Sequence, residues 1–175
     1  MFVPSHLATG YLLSKAIKPS LWTVFPFMPV LIIAALFPDV DGIFSETVAG
    51  HHSVLHTPIL WISLFGLMIF VDRITNSDKI KPIALGILLG TSSHLFTDWF
   101  TARTVGIQWF YPLSKIDYFL YQIQPDRGQV TVWEMIQNPY FSFYMENGLL
   151  FWTEIGLLVF TVIIFCYEQM GGFKK

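Results

Sequence analysis

GLLFWTEIGLLVFTVIIFCY, residues 148–167, has the roughly 20-residue apolar length needed to cross a ~30 Å hydrocarbon core. A single carboxylate, Glu154, interrupts it. Three further apolar runs precede it: LWTVFPFMPVLIIAALF (21–37), TPILWISLFGLMIFV (57–71) and PIALGILLGTSSHLF (82–96). The chain of 175 residues is 54% hydrophobic and 13% charged, with a mean hydropathy of +0.56. A soluble domain usually carries about 25% charged residues, so much of this surface is read as facing lipid. The expected fold is all-α: a polytopic membrane bundle of about five helices, the first one short, in a single integral membrane domain over 1–175. An aromatic-rich interfacial segment, 99–147, is inserted before the last helix.

The start, MFVPSHLATGYLLSKAIKPS, shows no basic first segment and no cleavage signal. The lone Cys166 implies no internal disulfide. A net charge of −2 without a basic patch gives no case for nucleic acid as a partner. The sequence sets no oligomeric state.

Threading follows from the punctuation. Residues 5–17 form a short helix with Ser5 as its cap, and KPS (18–20) turns the chain. The second helix runs 21–37. Pro26 and Pro29 kink or shorten it, and Pro38 ends it at Phe37. The third helix starts near Pro58 and descends through residue 71. The fourth climbs from Pro82 to about Thr97, and the last runs 148–167. Lys15, Lys18, Arg73, Lys79, Lys81, Lys174 and Lys175 then fall on one side, and Arg103, Lys115 and Arg127 on the other. The positive-inside rule places the first set and the C-terminus in the cytoplasm of a multi-pass inner (cytoplasmic) membrane protein.

On that map every histidine reaches the other end. His6 begins the first helix, and FPDVDG, with Asp39 and Asp41, follows the second. HHSVLHTP (51–58), with His51, His52 and His56, precedes the third. SSHLFTDW, with His94 and Asp98, closes the fourth. His94 and Asp98 stand at i and i+4, on one helix face. Asp39 and Asp41 point the same way if their segment is extended. His52 and His56 share a face if the third helix begins early, whereas a start at Pro58 leaves them looped. Carboxylates beside imidazoles suit zinc first, with manganese or iron as alternatives. One ion takes three or four donors. Eight donors therefore point to two ions, or to one ion with orienting residues around it. Read singly, each motif has a plain alternative: a hydrogen-bonded His–Asp pair, a capped loop, an interfacial histidine. The third and fourth runs are short for a full span, which would sink their polar ends into a recess closed by 99–147 and suited to a lipid headgroup.

The ordered set SHLATGYL, FPDVDGIF, HHSVLHTPI and GTSSHLFTDWFTARTVGIQWFYP resembles the YdjM-like family of membrane-bound, metal-dependent hydrolases of bacteria and archaea, over roughly residues 1–112. The resemblance implies a site made by His6, Asp39, Asp41, His51, His56, His94 and Asp98, with Gly106, Tyr111 and Pro112 matching the trailing part. The chain departs from the pattern where His52 replaces an arginine, Ser53 a glycine and Leu55 a threonine. An arginine could hold phosphate with two parallel bonds, which histidine does not reproduce.

The activity expected from these residues is metal-assisted hydrolysis, with a phosphoester of a membrane lipid or a lipid-linked small molecule as substrate. Asp39 takes the proton from water, and His52 or Arg103 steadies the leaving group. Amide cleavage is a lesser possibility, since no HExxH stretch occurs. The rival is a non-catalytic membrane scaffold or metal-binding protein with a structural His/Asp site; a third reading is a soluble bundle with an interior histidine cluster. Trp99, Trp109, Tyr111, Tyr118, Tyr121, Trp133, Tyr140 and Tyr144 make 99–147 an interfacial cap or a lid. Glu154 either bonds a polar neighbour inside the bundle or reaches the site from below.

Overall fold

The computed structural model describes residues 1–17, 27–131, 133–137 and 140–171. The described α-helices are α1 (Val3–Ala16), α2 (Phe27–Ala34), α3 (Pro58–Thr75), α4 (Ile80–Thr101), α5 (Tyr140–Glu146) and α6 (Gly148–Gln169). No strand occurs among the described residues; the one extended pairing is an isolated antiparallel bridge between Ile107 and Tyr118. The all-α expectation holds.

Packing starts at small residues. Lipid is as apolar as leucine, so helices in a membrane associate through close van der Waals contact more than through apolar burial. Gly86 and Gly90, four apart on α4, form such a seat for α2. A Cβ at Gly90 would stand 2.4 Å from the Leu31 carbonyl oxygen and 2.8 Å from the Ala34 Cβ. On the other flank, a Cβ at Gly10 of α1 would meet the Ala35 Cβ at 2.9 Å. Three backbones thus converge around Leu31, Ala34 and Ala35, all fully buried. α3 lies along α4, where Trp61, Leu95 and Ile107 form a buried cluster just beneath His94. α6 rests mainly on α1. Phe2 meets Glu154 at one end and Tyr11 meets Glu168 at the other, so the two helices run in the same direction.

Several expected boundaries move. α1 begins at Val3 with Pro4 in its first turn, and Ser5 is not its cap: that hydroxyl is buried without a partner. The turn at 18–20, the start of the second helix and Pro26 lie outside the described residues, while Pro29 is carried inside α2. Phe37 keeps helical angles (φ −59°, ψ −40°) although proline follows it, and the chain runs on as a 3-10 turn, Pro38–Ile43. PDVDG is therefore not extended. α3 does start at Pro58; two 3-10 turns, Ala49–His51 and Val54–His56, carry the histidines before it. α3 and α4 are 18 and 22 residues long, against the short runs expected. Their extra length comes from DRIT (72–75) on α3 and from Ile80, Lys81 and TDWFT (97–101) on α4, stretches with charged residues that an apolar window leaves out. At 1.5 Å per residue α4 measures about 33 Å, so His94 and Asp98 lie within a full-length helix rather than at the tip of a short one.

α3 and α6 are long and apolar enough to cross a bilayer, and only 6% and 11% of their apolar windows are buried. A core helix of a soluble protein would be mostly covered. Trp152, Val159, Phe160 and Ile163 on α6 are all more than half exposed. Exposed apolar faces of this size mark contact with membrane or protein, which counts against the soluble-bundle reading.

Candidate metal centre

Each donor arrives on its own element. His6 comes from the second turn of α1, His94 and Asp98 from the last turns of α4, and Asp39 and Asp41 from the 3-10 turn after α2. His51 and His56 each end a 3-10 turn ahead of α3. All of them, with His52, meet at one end of the bundle, as counting hairpins predicts.

Two carboxylates organise the cluster. Asp98 places Oδ1 3.1 Å from His6 Nε2, and Oδ2 2.9 Å from His94 Nε2 and 3.6 Å from His56 Nε2. Asp39 repeats the division. Its Oδ2 is 3.9 Å from His6 Nε2, while its Oδ1 is 3.5, 3.7 and 3.8 Å from the Nε2 atoms of His94, His56 and His51. The ligand atoms of His6, Asp39, His94 and Asp98 all lie within 4.8 Å of one another, and so do those of His51, His52 and His56. His56 links the two groups, with its Nε2 3.3 Å from His94 Nε2.

The other ring nitrogens are committed elsewhere. His94 Nδ1 donates to the Ala35 carbonyl at 2.7 Å, His52 Nδ1 to the Gly106 carbonyl at 3.1 Å, and His51 Nδ1 to the Val48 carbonyl. His6 Nδ1 meets Thr97 Oγ1 at 3.2 Å, a hydroxyl whose own proton goes to backbone oxygens of α4. His56 Nδ1 meets Asp41 Oδ2 at 3.3 Å. This is the outer-shell pattern of metal-binding histidines, in which one nitrogen is tied back and the other is left with its lone pair. The lone pairs of His6 and His94 then face carboxylate oxygens at 2.9–3.1 Å, a repulsive contact unless a proton or a cation lies between them.

Two further observations test whether the residues fit an ion. His6 Nε2, Asp39 Oδ2 and Asp41 Oδ1 are buried without a hydrogen-bond partner, which native interiors seldom allow. The cluster also draws positive charge. Burial works to lower the His56 pKa, but Asp39, Asp41 and Asp98 around the ring outweigh it and hold it well above the usual histidine range. Burial, helped by the charge of His56, takes His51 and His52 below that range. Burial would raise Asp39, yet His56 and His94 beside it bring its pKa down to about 2. Asp41 is lowered too, against burial, by His56 and Ser53. The Met1 amino group donates to Asp98 Oδ1 at 2.7 Å. The donor set fits a divalent ion held by imidazole and carboxylate.

The expected residues divide by position. His6, His94 and Asp98 are buried with the partly exposed Asp39 at their edge, and His56 and His51 face them through Asp39. Asp41 stands behind His56, on its Nδ1 side, and also accepts from the Ser53 hydroxyl at 2.5 Å. In a 3-10 turn, residues two apart point to different sides, so the parallel aspartates expected of an extended PDVD are replaced by two that take His56 from opposite edges. His52 and His56 stack at 4.3 Å with an interplanar angle of 6°, without sharing a helix. Arg103 lies in a different pair: Nη1 donates to Glu154 Oε1 at 2.8 Å, and the guanidinium sits over the Tyr144 ring. Glu154 also accepts from the Phe2 backbone N–H at 2.9 Å. Of its two expected roles, Glu154 takes the structural one.

Thr97, Ser53 and the carbonyls of Ala35 and Gly106 were not singled out from sequence. Thr97 is three residues past His94, a spacing that marks one helix face. Gly106 is accounted for by space: a Cβ there would stand 2.6 Å from the Tyr118 oxygen, across the bridge that fixes its carbonyl under His52.

No curated protein and no solved structure shows a significant match to the chain. A family model does, that of the YdjM inner membrane protein, and it spans residues 1–173. The match reaches well past residue 112, so the last helix lies inside the family's extent. The buried His/Asp centre, the bare apolar helices and this match together place the chain in the membrane, and the chain belongs to the YdjM inner membrane protein family.

Proposed function

We propose that the chain is a multi-pass inner membrane hydrolase, dependent on one or two divalent ions, that cleaves a phosphoester of a lipid or lipid-linked molecule at the outer face. The observation that carries this reading is the division of Asp39 and Asp98, each presenting one oxygen to His6 and the other to the His56/His94 side. Carboxylates shared in this way suit a pair of ions. Bound there, the ions would supply a water of lowered pKa and would polarise the scissile group.

The chain's own residues do the rest. His6, His94 and Asp98 are buried and fixed, so they hold. Asp39 is the more accessible carboxylate, with its side chain 20% exposed against 4% for Asp98, and it takes the proton from water. His52, with its Nδ1 proton tied to the Gly106 carbonyl, has Nε2 free to take up the proton that Asp39 removes from water and to pass it to the leaving oxygen. Arg103 acts as a positioning residue: through Glu154 it fixes Phe2, and with it the start of the helix that carries His6. In this reading the described residues of 99–147, with α5, serve as the interfacial cap over this end.

The test is metal content per chain on detergent-purified protein, beside His94→Ala and Asp39→Ala. The expected result is near-stoichiometric zinc, manganese or iron that falls in both variants, with a count near two and turnover of a lipid phosphate. No retained ion after adding back zinc, manganese or iron would overturn it. A second reading, a non-catalytic scaffold or metal-binding protein, draws on the burial of His6, Asp39, His94 and Asp98 as four mutually close donors. A closed four-coordinate site is typical of structural zinc. One tightly held ion whose removal unfolds the protein, without turnover, would favour it.

A further inference from the structure

Beside the centre, α6 stands apart from α4 and leaves a cleft of about 470 Å³ floored by α1. That volume falls within the range of ligand pockets, ~300–1,000 Å³. Phe96 and Phe100 of α4 face Leu157 and Phe160 of α6 across it.

Threonines supply the remaining wall, and none of them calls for water. Thr9 Oγ1 donates to the His6 carbonyl, Thr97 to those of Ser93 and His94, Thr101 to that of Thr97, and Thr153 to that of Leu149. Every hydroxyl is satisfied by its own helix. A cavity keeps water only where polar groups still need partners, so this one suits an apolar occupant.

Its position supplies the rest. Thr97 lines the groove and also meets His6 Nδ1 at 3.2 Å, one hydrogen bond from the metal donors. Met1 also lines it while its amino group meets Asp98. The long walls belong to α4 and to α6, whose outer face is bare and apolar. The groove thus joins the region facing lipid tails to the His/Asp cluster.

From this continuity we infer that the cleft between α4 and α6 binds one hydrocarbon chain of a membrane lipid, with the lipid's polar head at the His/Asp centre. The inference rests on the reading of that centre as the place where a lipid headgroup is cleaved. It adds which part of the molecule holds the tail, and it makes the substrate class one with a long acyl or prenyl chain that arrives sideways from the bilayer. Gly156 is the point at which to block it. It lines the groove, and a Cβ built there meets nothing within 4 Å.

The experiment uses the full chain in nanodiscs of phosphatidylethanolamine and phosphatidylglycerol, with a fraction of phosphatidylglycerol carrying a diazirine in one acyl chain. After photolysis, adducts are mapped by peptide mass spectrometry and metal per chain is measured on the same samples. Labelling is expected on Phe100 and Leu157 above that on Val159 and Ile163, which face outward. In Gly156→Trp, labelling at Phe100 and Leu157 should fall about tenfold, with outward labelling and metal content unchanged. The same variant should raise KM for a long-chain phosphoester and leave a short-chain one unaffected. Equal labelling of groove and outer face, or groove labelling that Gly156→Trp leaves unchanged, would overturn the inference. Groove labelling that persists while no ion is retained would instead sink the hydrolase reading and leave the groove standing.

Discussion

The buried group of His6, Asp39, His94 and Asp98 and the looped group of His51, His52 and His56 are built from the same chemistry on different supports. The first group hangs mainly on helices whose backbones touch at glycine and alanine. His94 is fixed by the Ala35 carbonyl just past α2 and His6 by a hydroxyl of α4. The second group rides on two short 3-10 turns, and one of its carboxylate supports, Asp41, is itself held by Ser53 of the same loop. Under the proposed function, the difference separates residues that would set the position of an ion from residues that would move with a substrate. Sites on rigid elements are more finely placed than sites on loops.

The sharpest way to break that contrast is to remove a buried donor. His94→Ala and Asp98→Ala should each abolish metal retention on detergent-purified protein, whereas His51→Ala should retain metal. Equal losses in all three would erase the distinction. Gly90→Val attacks the support instead. With a Cβ position 2.4 Å from the Leu31 oxygen, overpacking should cost about 1–3 kcal/mol, seen as a lowered Tm in detergent, and metal should leave with the seat. Asp41→Asn keeps the shape but weakens the orientation of His56, and should reduce metal affinity by about 10–100-fold, measured by competition with a chromophoric chelator. His52→Ala should leave metal and Tm unchanged and slow turnover of a lipid phosphate. The smallest effect is expected at the rim, where Arg127 and Glu146 pair at 3.2 Å while both are substantially exposed. Glu146→Gln should change stability by less than about 1 kcal/mol.

The sequence made the end of the bundle legible because hairpin counting needs only the order of apolar runs and the residues between them. His6, PDVD, the HHSVLH histidines and His94/Asp98 each flank such a run, and the structure gathers all of them. The i, i+4 pair was readable in detail, since helical spacing alone brings His94 and Asp98 to 2.9 Å. The 3-10 geometry of PDVDG was not. Phe37 stays helical ahead of Pro38 with its ring packed on the Trp61 cluster and its N–H on the Ala34 carbonyl, and a tertiary contact outweighs a local preference. Arg103 was misplaced for a similar reason: its buried partner, Glu154, is 51 residues away, and no spacing rule spans that distance. The outer-shell hydrogen bonds were hidden as well, because three of their acceptors, at Ala35, Gly106 and Val48, are backbone carbonyls, which carry no sequence mark. The Gly86-x-x-x-Gly90 spacing was a readable signal for the seat, and it was not drawn on.

The bond from His94 to Ala35 has one more consequence. Ala35 lies one residue beyond α2, where the last carbonyls of a helix lack amide partners and carry its negative dipole end. His94 takes up that oxygen through Nδ1. The field at the end of α2 therefore pushes electron density through the imidazole toward Nε2, making it a stronger base for a cation. Lengthening α2 by a turn would redirect that carbonyl, so the reach of a helix also sets the basicity of an imidazole 59 residues away.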